Sequence, residues 1–205
     1  GGEPFISEVY IDLMDYIIAT GRRNIRHVIQ TNGSYLKKKQ ELVTKLLPFI
    51  NELRISFDAA SADTYQTVRG ADWQILQQGL EYIHSLKRPM KLNFVVQKNN
   101  WHEIVQFAEL ANQYSASVYY SNLLDWGHWT PTWWRENNVM NRSSETYHQV
   151  LQSLQQVQNQ YQNNSDSMAG CEFKCHSFLS TLKLEFTAVI LILSWINYGI
   201  FIKYK

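Results

Sequence analysis

Polar side chains able to hold a small zwitterionic ligand follow the predicted strands of this sequence. Asp58 supplies an acceptor suited to a hydroxyl or an ammonium group, and the Arg69 guanidinium suits a carboxylate. Asn32 can both donate and accept, and Gly33 allows a ligand to approach the backbone closely. Ser56 is predicted to lie on the same side of its strand as Asp58, because side chains alternate along a strand. This set is suited to a ligand that is small, zwitterionic and partly polar.

Each of these residues also has an ordinary structural explanation. The Asn-Gly pair at 32–33 is a turn signal, and Asp-Ala-Ala-Ser at 58–61 is typical of a helix start. Arg-Gly at 69–70 is typical of a helix end. Taken singly, each residue favours the structural explanation. Their common position just after successive strands favours a binding site.

The elements that must position these residues alternate between helix and strand. Strands are predicted in IRHVIQTNG, ELRISFDAAS, MKLNFVVQKNN and SVYYSNLLDWG, with helices before, between and after them. The last helix, from Ser143 to about Gln160, is polar and rich in Gln. This order favours an α/β fold with a parallel sheet, in which ligands lie beyond the carboxyl ends of the strands. The residues after all the strands, including Gln97 to Asn100 and Asp125, are therefore expected to face one mouth.

The composition is that of an ordinary globular chain. The 205 residues suit one domain or one domain with an appendage, and the hydrophobic share of 45% with 18% charged residues lies outside the disordered class. A formal net charge of +1 gives no reason to expect a nucleic acid or a membrane surface as a partner. Cys171 and Cys175 are too close together for a disulfide framework. Their number and spacing predict a reducing compartment, such as the cytoplasm.

The ordered motifs of the chain resemble those of the radical S-adenosylmethionine (radical SAM) enzymes. GGEP at the start resembles the stretch after the second strand of that family, and QTNG resembles its TNG turn. RISFDAASADTYQTVRG resembles the fourth strand and the helix after it, and LNFVVQKNNWHEIVQFAELA resembles the fifth strand and its helix. NLLDWGHWT is similar to the end of the sixth strand in members with SPASM/Twitch-type extensions. The resemblance covers roughly residues 1 to 160.

The resemblance implies a partial (β/α)6 TIM-like barrel that binds S-adenosylmethionine. The stretch from Gly1 to Pro4 would hold the methionine amino group through backbone carbonyls and the Glu3 side chain. Ser56 and Arg69 would fix the carboxylate or ribose region, and Asn93 lies on the strand that passes close to the ribose and adenine. The expected cofactor-binding residues are Gly1, Gly2, Glu3, Pro4, Asn32, Ser56, Asp58, Arg69, Asn93 and Val95.

The substrate side is expected at the end of the last predicted strand. By the resemblance, Asp125 and Trp126 would line it. Trp126 belongs with Trp129, Trp133 and Trp134 to an aromatic loop that has two explanations. The four rings could grip a peptide substrate or exclude water, or they could form a small core over the barrel mouth.

The resemblance also implies the chemistry of the parent protein. An electron from a reduced 4Fe–4S cluster would cleave S-adenosylmethionine to methionine and a 5′-deoxyadenosyl radical, which abstracts hydrogen from a peptide or small-molecule substrate. Such an oxidoreductase or maturase needs a reductant, such as flavodoxin or ferredoxin, and no residue here has to be a catalytic acid or base. The alternatives are a non-catalytic truncated remnant or weak nucleoside-binding module, and an unrelated α/β barrel enzyme that uses Asp58 and Asp125 as an acid–base pair.

The cluster ligands are expected upstream of residue 1. In the family, three thiolates of a CxxxCxxC loop that precedes GGEP hold the cluster, and this sequence has only two cysteines. The chain is therefore interpreted as a fragment, truncated at its N-terminus and inactive by itself. Cys171 and Cys175, with the adjacent His176, are either an auxiliary cluster or metal site, or two free thiols.

Three segments are predicted along the chain. Residues 1–142 form the radical SAM core, and 143–177 form a C-terminal helix and the start of a SPASM/Twitch-like extension. Residues 178–205 are an apolar tail, interpreted as frameshifted or foreign. At about sixteen residues its apolar run is marginal for a membrane helix, so a membrane partner is not expected. A buried strand pair or core helix is the other explanation of the tail.

Overall fold

Six parallel strands form one sheet in the computed structural model, which describes residues 2–22, 24–162, 171–174 and 190–192. The strands are β1 (His27–Thr31), β2 (Glu52–Ser56), β3 (Lys91–Val96), β4 (Ser117–Asn122), β5 (Cys171–Lys174) and β6 (Ile190–Ile192). Their order across the sheet is β5-β4-β3-β2-β1-β6. Every pairing is parallel.

Helices connect the strands in the alternating order that the sequence predicts. They are α1 (Glu8–Thr20), α2 (Gln40–Leu46), α3 (Ala62–Arg69), α4 (Trp73–Ser85), α5 (Ile104–Gln113), α6 (Pro131–Asn137) and α7 (Tyr147–Gln162). Short 3-10 turns at Leu47–Phe49 and Trp101–Glu103 adjoin α2 and α5. The predicted α/β fold with a parallel sheet is confirmed. The sequence did not predict α6.

Local sequence explains where α1 ends and where α3 begins and ends. Gly21 and Gly70 follow α1 and α3 in the left-handed conformation, with φ of 62° and 61°. The Ser61 side chain accepts a hydrogen bond from the Thr64 amide at the start of α3. Because α3 ends at Gly70, Arg69 lies in the last turn of this helix.

The two faces of the sheet differ sharply in chemistry. One face is apolar and packs on the helices, since Ile55 of β2 and Phe94 of β3 share a buried core with Leu80 of α4 and Phe107 of α5. The opposite face presents polar strand residues that alternate with the core positions. Register places Ser56 beside Asn93 on this face. Two residues earlier on β2 and β3, the register pairs Arg54 with Lys91. Gln30 of β1 and Ser117 of β4 complete this row of side chains.

The late segments extend both edges of the sheet. Cys171 of β5 pairs with Val118 of β4, and Leu191 of β6 pairs with Val28 of β1. The domain boundaries at 142 and 177 stay predictions. Apart from Ile190–Ile192, the tail from 178 onward lies outside the described residues. Within the described ranges, no helix combines the length and apolar composition that a membrane span needs.

Candidate functional site

Glu3 joins the start of the chain to the end of β1. Its Oε1 accepts a hydrogen bond from the Thr31 hydroxyl at 2.5 Å, and its Oε2 accepts one from the Asn32 amide at 2.9 Å. Burial raises the pKa of the Glu3 carboxyl, while the bonds from Thr31, Asn32 and Phe5 and the nearby charge of Arg69 act to lower it. The GGEP and TNG motifs of the sequence are therefore joined through the hydrogen bonds of the Glu3 carboxylate. Gly1 lies outside the described residues, Gly2 is exposed and Pro4 is buried.

The turn after β1 is packed tightly on α4. Gly33 has φ of 82°, a conformation that favours glycine, and a Cβ at this position would lie 2.5 Å from Leu76 Cδ1. Gly79 of α4 faces the same turn, since a Cβ there would lie 2.7 Å from the Gly33 carbonyl oxygen. The Asn32 side chain accepts a hydrogen bond from the Ser34 amide at 2.9 Å. These contacts fix the backbone of the turn where a ligand would approach it.

Asp58 occupies the junction of β2, α3 and β3. Its Oδ2 accepts a hydrogen bond from Arg69 Nη1 at 3.1 Å, and its Oδ1 accepts one from the Val95 amide at 2.7 Å. Burial raises the pKa of the Asp58 carboxyl, and the Arg69 charge and the Val95 amide oppose that effect. The expectation that Ser56 and Asp58 share one side of a strand is wrong. The strand ends at Ser56, and Asp58 has φ of 62°, so the alternation stops before it.

Asn100 holds the loop after β3 against the same junction. It is fully buried, and its Nδ2 donates to the carbonyl oxygens of Asp58 at 2.9 Å and of Val95 at 3.0 Å. Its Oδ1 accepts a hydrogen bond from the Gln97 amide at 2.9 Å. The predicted segment from Gln97 to Asn100 therefore supports the site through Asn100.

Glu103 is a buried residue of this region that the sequence did not single out. Its carboxylate accepts hydrogen bonds from the Ala60 amide at 2.6 Å, the Ser61 hydroxyl at 2.5 Å and the Thr64 hydroxyl at 2.8 Å. These bonds fix the loop between Asp58 and α3. An acidic residue before a helix was the available signal, but that signal is common to ordinary helix starts.

Ser56 and Asn93 lie side by side on β2 and β3, and we call this pair the floor of the candidate site. They are register partners on β2 and β3, and both are buried. The Ser56 hydroxyl accepts a hydrogen bond from Gln30 Nε2 at 3.2 Å. Among the described residues, the buried Oδ1 of Asn93 has no hydrogen-bond partner, although only 8% of Asn93 is exposed. A buried amide oxygen without a donor is costly, and it marks a place where a ligand donor would fit.

The residues predicted for the substrate side lie in an exposed loop after β4. Asp125 Oδ1 accepts a hydrogen bond from the Gly127 amide at 2.8 Å, and Trp126 is 58% exposed. Trp129 and Trp133 stack with ring centroids 3.9 Å apart. Within the described part of the chain, no recorded contact joins Asp125 to Asp58 or Arg69. Their role at a site stays a prediction.

The described residues do not supply a metal centre. No three or more of their His, Cys, Asp or Glu side chains come together in a group that could hold an ion. Cys171 lies at the start of β5, but its side chain is not among those described, and Cys175 and His176 lie outside the described residues. The proposed auxiliary cluster therefore stays a prediction.

The geometry suits a ligand with an ammonium group, a carboxylate and hydroxyl groups. Glu3 is bonded to the end of β1, Ser56 and Asn93 are partners on β2 and β3, and Asp58 is bonded to Arg69 and to Val95 of β3. Three of the four predicted loop regions thus supply this site. Asp58 is engaged by Arg69 and Val95, whereas Asp125 lies in the exposed loop after β4.

Comparison with curated proteins shows relatives in sequence. No family profile matches the chain. The chain is 30% identical over 114 residues to a probable GTP 3′,8-cyclase of Saccharolobus islandicus. The matched region covers 54% of this chain and 35% of that protein. It is 26% identical over 136 residues to the mycofactocin maturase MftC of Mycobacterium tuberculosis, which covers 65% of this chain and 34% of that protein. The chain thus spans about a third of the length of these relatives.

Comparison with solved structures shows the fold. SuiB of Streptococcus suis bound to S-adenosylmethionine matches with a TM-score of 0.61 at 13% identity, over 85% of this chain and 38% of that one. The sequence relatives and SuiB are radical SAM enzymes, so the resemblance noted in the motifs is confirmed. The partial barrel with a parallel sheet is likewise confirmed.

Proposed function

We propose that this chain, a relative of radical SAM enzymes, forms part of the S-adenosylmethionine site of an enzyme that abstracts hydrogen from a peptide or a small molecule. The observation that carries the proposal is the buried Oδ1 of Asn93, which has no donor among the described residues. It lies beside Ser56 in register, on the polar face of the sheet. A ribose hydroxyl of the cofactor is a donor that satisfies this oxygen.

The other ends of the cofactor match the residues on either side. The Arg69 guanidinium uses Nη1 for Asp58, and no other N–H group of it has a recorded partner among the described residues. A carboxylate can therefore bind to the remaining N–H groups. Glu3 accepts hydrogen bonds on both oxygens, and Oε2 has one recorded donor, the Asn32 amide. An ammonium group can bind there, next to the backbone of Gly2.

Within this site the roles of the chain are binding, orientation and exclusion of water. S-adenosylmethionine, when bound, supplies the adenosyl group that carries out hydrogen abstraction. Asp58 orients Arg69 and also accepts a hydrogen bond from the Val95 amide on β3. It therefore fixes the residues proposed for the cofactor carboxylate relative to those proposed for the ribose. The buried core below the floor keeps water from the apolar side of the sheet.

The iron–sulfur cluster requires residues beyond those described. The family loop supplies three thiolates, and the sequence has two cysteines, so this chain does not contain the complete loop. We propose that a CxxxCxxC segment of the complete protein holds the 4Fe–4S cluster. A reductant such as flavodoxin or ferredoxin would deliver its electron. Asp125 and Trp126 are proposed for the substrate side, and a SPASM/Twitch-type extension and a cytoplasmic location are proposed with them.

The test is a calorimetric titration of this chain with S-adenosylmethionine. We expect Asn93→Ala to weaken binding roughly tenfold, because one buried hydrogen bond is lost. Asn112→Ala, which changes an exposed asparagine of α5, is the matched control and should bind as the unchanged chain does. Thermal unfolding of both variants shows whether they fold. Equal affinities of the two variants, or no binding by the unchanged chain, would contradict the proposal.

A second measurement separates an enzyme from a nucleoside-binding module. The complete protein, reconstituted anaerobically with iron and sulfide and then reduced, should convert S-adenosylmethionine to methionine and 5′-deoxyadenosine. Binding without this conversion would leave the cofactor site in place and contradict the enzymatic part of the proposal.

A further inference from the structure

A group of charged side chains lies on the polar face of the sheet, close to the floor formed by Ser56 and Asn93. Glu52 Oε2 is 2.7 Å from Arg26 Nη2, and Glu52 Oε1 is 2.7 Å from Arg54 Nε and 3.2 Å from Lys91 Nζ. Among these four side chains, three cations share one carboxylate. Glu52 therefore has more than one cationic partner among the described side chains.

Arg54, which lies on β2 itself, uses only part of its hydrogen-bonding capacity. It contacts Glu52 through Nε, and no recorded hydrogen bond among the described residues involves its Nη1 or Nη2. Its side chain is 26% exposed, so part of it is accessible to solvent. The paired N–H groups of a guanidinium match the two oxygens of a carboxylate or phosphate. Nε holds the plane of the group fixed against Glu52, which reduces the entropy lost when an anion binds.

Arg54 lies on the same face of the sheet as Ser56 and Asn93, one row of side chains away from them. Arg54 precedes Ser56 by two residues on β2, so both side chains are on the same face about 7 Å apart along the strand. Lys91 precedes Asn93 on β3 in the same way, and register pairs Arg54 with Lys91. Gln30 and Ser117 complete the row on β1 and β4 with uncharged hydrogen-bonding groups. An anion at Arg54 would thus lie one side-chain row from a ligand at Ser56 and Asn93.

Arg54 is one of three cations that contact Glu52, so its contact with this carboxylate does not use all of its donors. Neutralising one carboxylate needs one cation, and Glu52 already has Arg26 and Lys91 within ion-pair distance. A guanidinium bound to Glu52 through Nε keeps the N–H groups of Nη1 and Nη2 as further donors.

We propose that Arg54 binds an anionic oxygen group, a carboxylate or a phosphate, that belongs to the substrate. The identification of this anion as part of the substrate rests on the proposed function, because Ser56 and Asn93 would then hold the cofactor next to it. The site selects substrates with an anionic group that can lie about one side-chain row from the cofactor bound at Ser56 and Asn93. Its existence as an anion site depends on Arg54 itself and not on the cofactor.

The experiment is an NMR titration of this chain, recording the Arg Nε–Hε signals and the backbone amides of Ser56 and Asn93. Inorganic phosphate and sodium acetate are the two probes, each added at constant ionic strength with sodium chloride as the balancing salt. We expect one of them to shift the Arg54 signal saturably. The probe that binds more tightly identifies the group as phosphate or carboxylate.

Two variants of Arg54 and one control make the result specific. Arg54→Gln should weaken binding at least tenfold, as read from the Ser56 and Asn93 amides, and Arg54→Lys should weaken it too because the paired N–H groups are lost. Arg88→Lys, which changes an exposed arginine between α4 and β3, should bind as the unchanged chain does. Shifts that do not saturate, or that persist in Arg54→Gln, would overturn the proposal.

A parallel titration with S-adenosylmethionine keeps the two proposals apart. If the probe binds at Arg54 and S-adenosylmethionine does not bind, the anion site stands and the proposed function fails. If S-adenosylmethionine binds equally to the unchanged chain and Arg54→Gln while neither probe binds, the proposed function stands and the anion site is overturned.

Discussion

The Asp58 carboxylate and the Arg69 guanidinium form an ion pair of 3.1 Å in which 4% and 15% of the two side chains are exposed. The pair connects the residue beyond the end of β2 to the last turn of α3. Because Asp58 also accepts a hydrogen bond from the Val95 amide, one carboxylate fixes three elements around the candidate site.

Removing this carboxylate should destabilise the protein strongly. Asp58→Ala leaves Arg69 and the Val95 amide without their acceptor, and we expect the free energy of unfolding to fall by about 3 kcal/mol. Urea denaturation followed by circular dichroism measures the change. Asp63→Ala, in the exposed first turn of α3, is the control. Similar losses in the two variants would show that the ion pair has no special role.

Glu3→Gln tests the contact between the start of the chain and the turn after β1. The amide group of glutamine places a donor where Thr31 or Asn32 already donates, so we expect a loss of about 2 kcal/mol in the free energy of unfolding. Hydrogen exchange of the Asn32 amide should become faster. Glu8→Gln, on the exposed side of α1, should leave that exchange rate unchanged. An unchanged rate in Glu3→Gln as well would mean that the contact does not hold the turn.

Gly79→Ala should destabilise the protein although alanine is the better helix former. The helix preference favours the substitution by about 1 kcal/mol. The new Cβ would lie 2.7 Å from the Gly33 carbonyl oxygen, a backbone atom that cannot turn aside, and overpacking of this kind costs about 1–3 kcal/mol. We expect a net loss of about 1 kcal/mol in thermal unfolding. Gln78→Ala, at an exposed position of the same helix, should be neutral or stabilising. A Gly79→Ala protein as stable as Gln78→Ala would contradict the close packing.

Acid should remove the contribution of Glu52 to stability. Burial acts to raise the pKa of Glu52, but Arg54 and Lys91 outweigh it and lower the pKa to about 2, compared with 4.5 for the ordinary carboxyl. A pKa that is depressed in the folded state stabilises the fold above the unfolded value. This stabilisation is lost as the pH falls from about 4.5 to about 2.

The measurement compares denaturation midpoints across that pH range. The denaturation midpoint of the wild-type protein should be higher than that of Glu52→Gln above pH 4.5. As the pH falls, this difference should shrink, so that the two plots of midpoint against pH converge near pH 2. Glu109→Gln, an exposed residue of α5, should show no such convergence with the wild type. A constant difference between wild type and Glu52→Gln would show that the ion pairs do not depress this pKa.

Hydrophobic periodicity allowed β1 to β4 and the helices beside them, but not α6, β5 or β6, to be predicted from the sequence. Ile55 and Phe94 lie where the pattern puts core positions, and Ser56 and Asn93 lie on the opposite face. The pattern failed at Asp58, because periodicity says nothing about a residue that leaves the strand with positive φ. Glu103 was missed for another reason. Its partner Ala60 is 43 residues away in sequence, so only the folded chain reveals the contact.

The alternation along β2 and β3 also separates two kinds of evolutionary change. Every second residue of these strands packs on the helices, and the residues between them face the open side of the sheet. A substitution at Arg54 or Lys91 would change what is recognised there without altering the volume of the core beneath. Such a scaffold can acquire new specificities one residue at a time without repacking its interior, although each change at these two positions also removes an ion pair with Glu52.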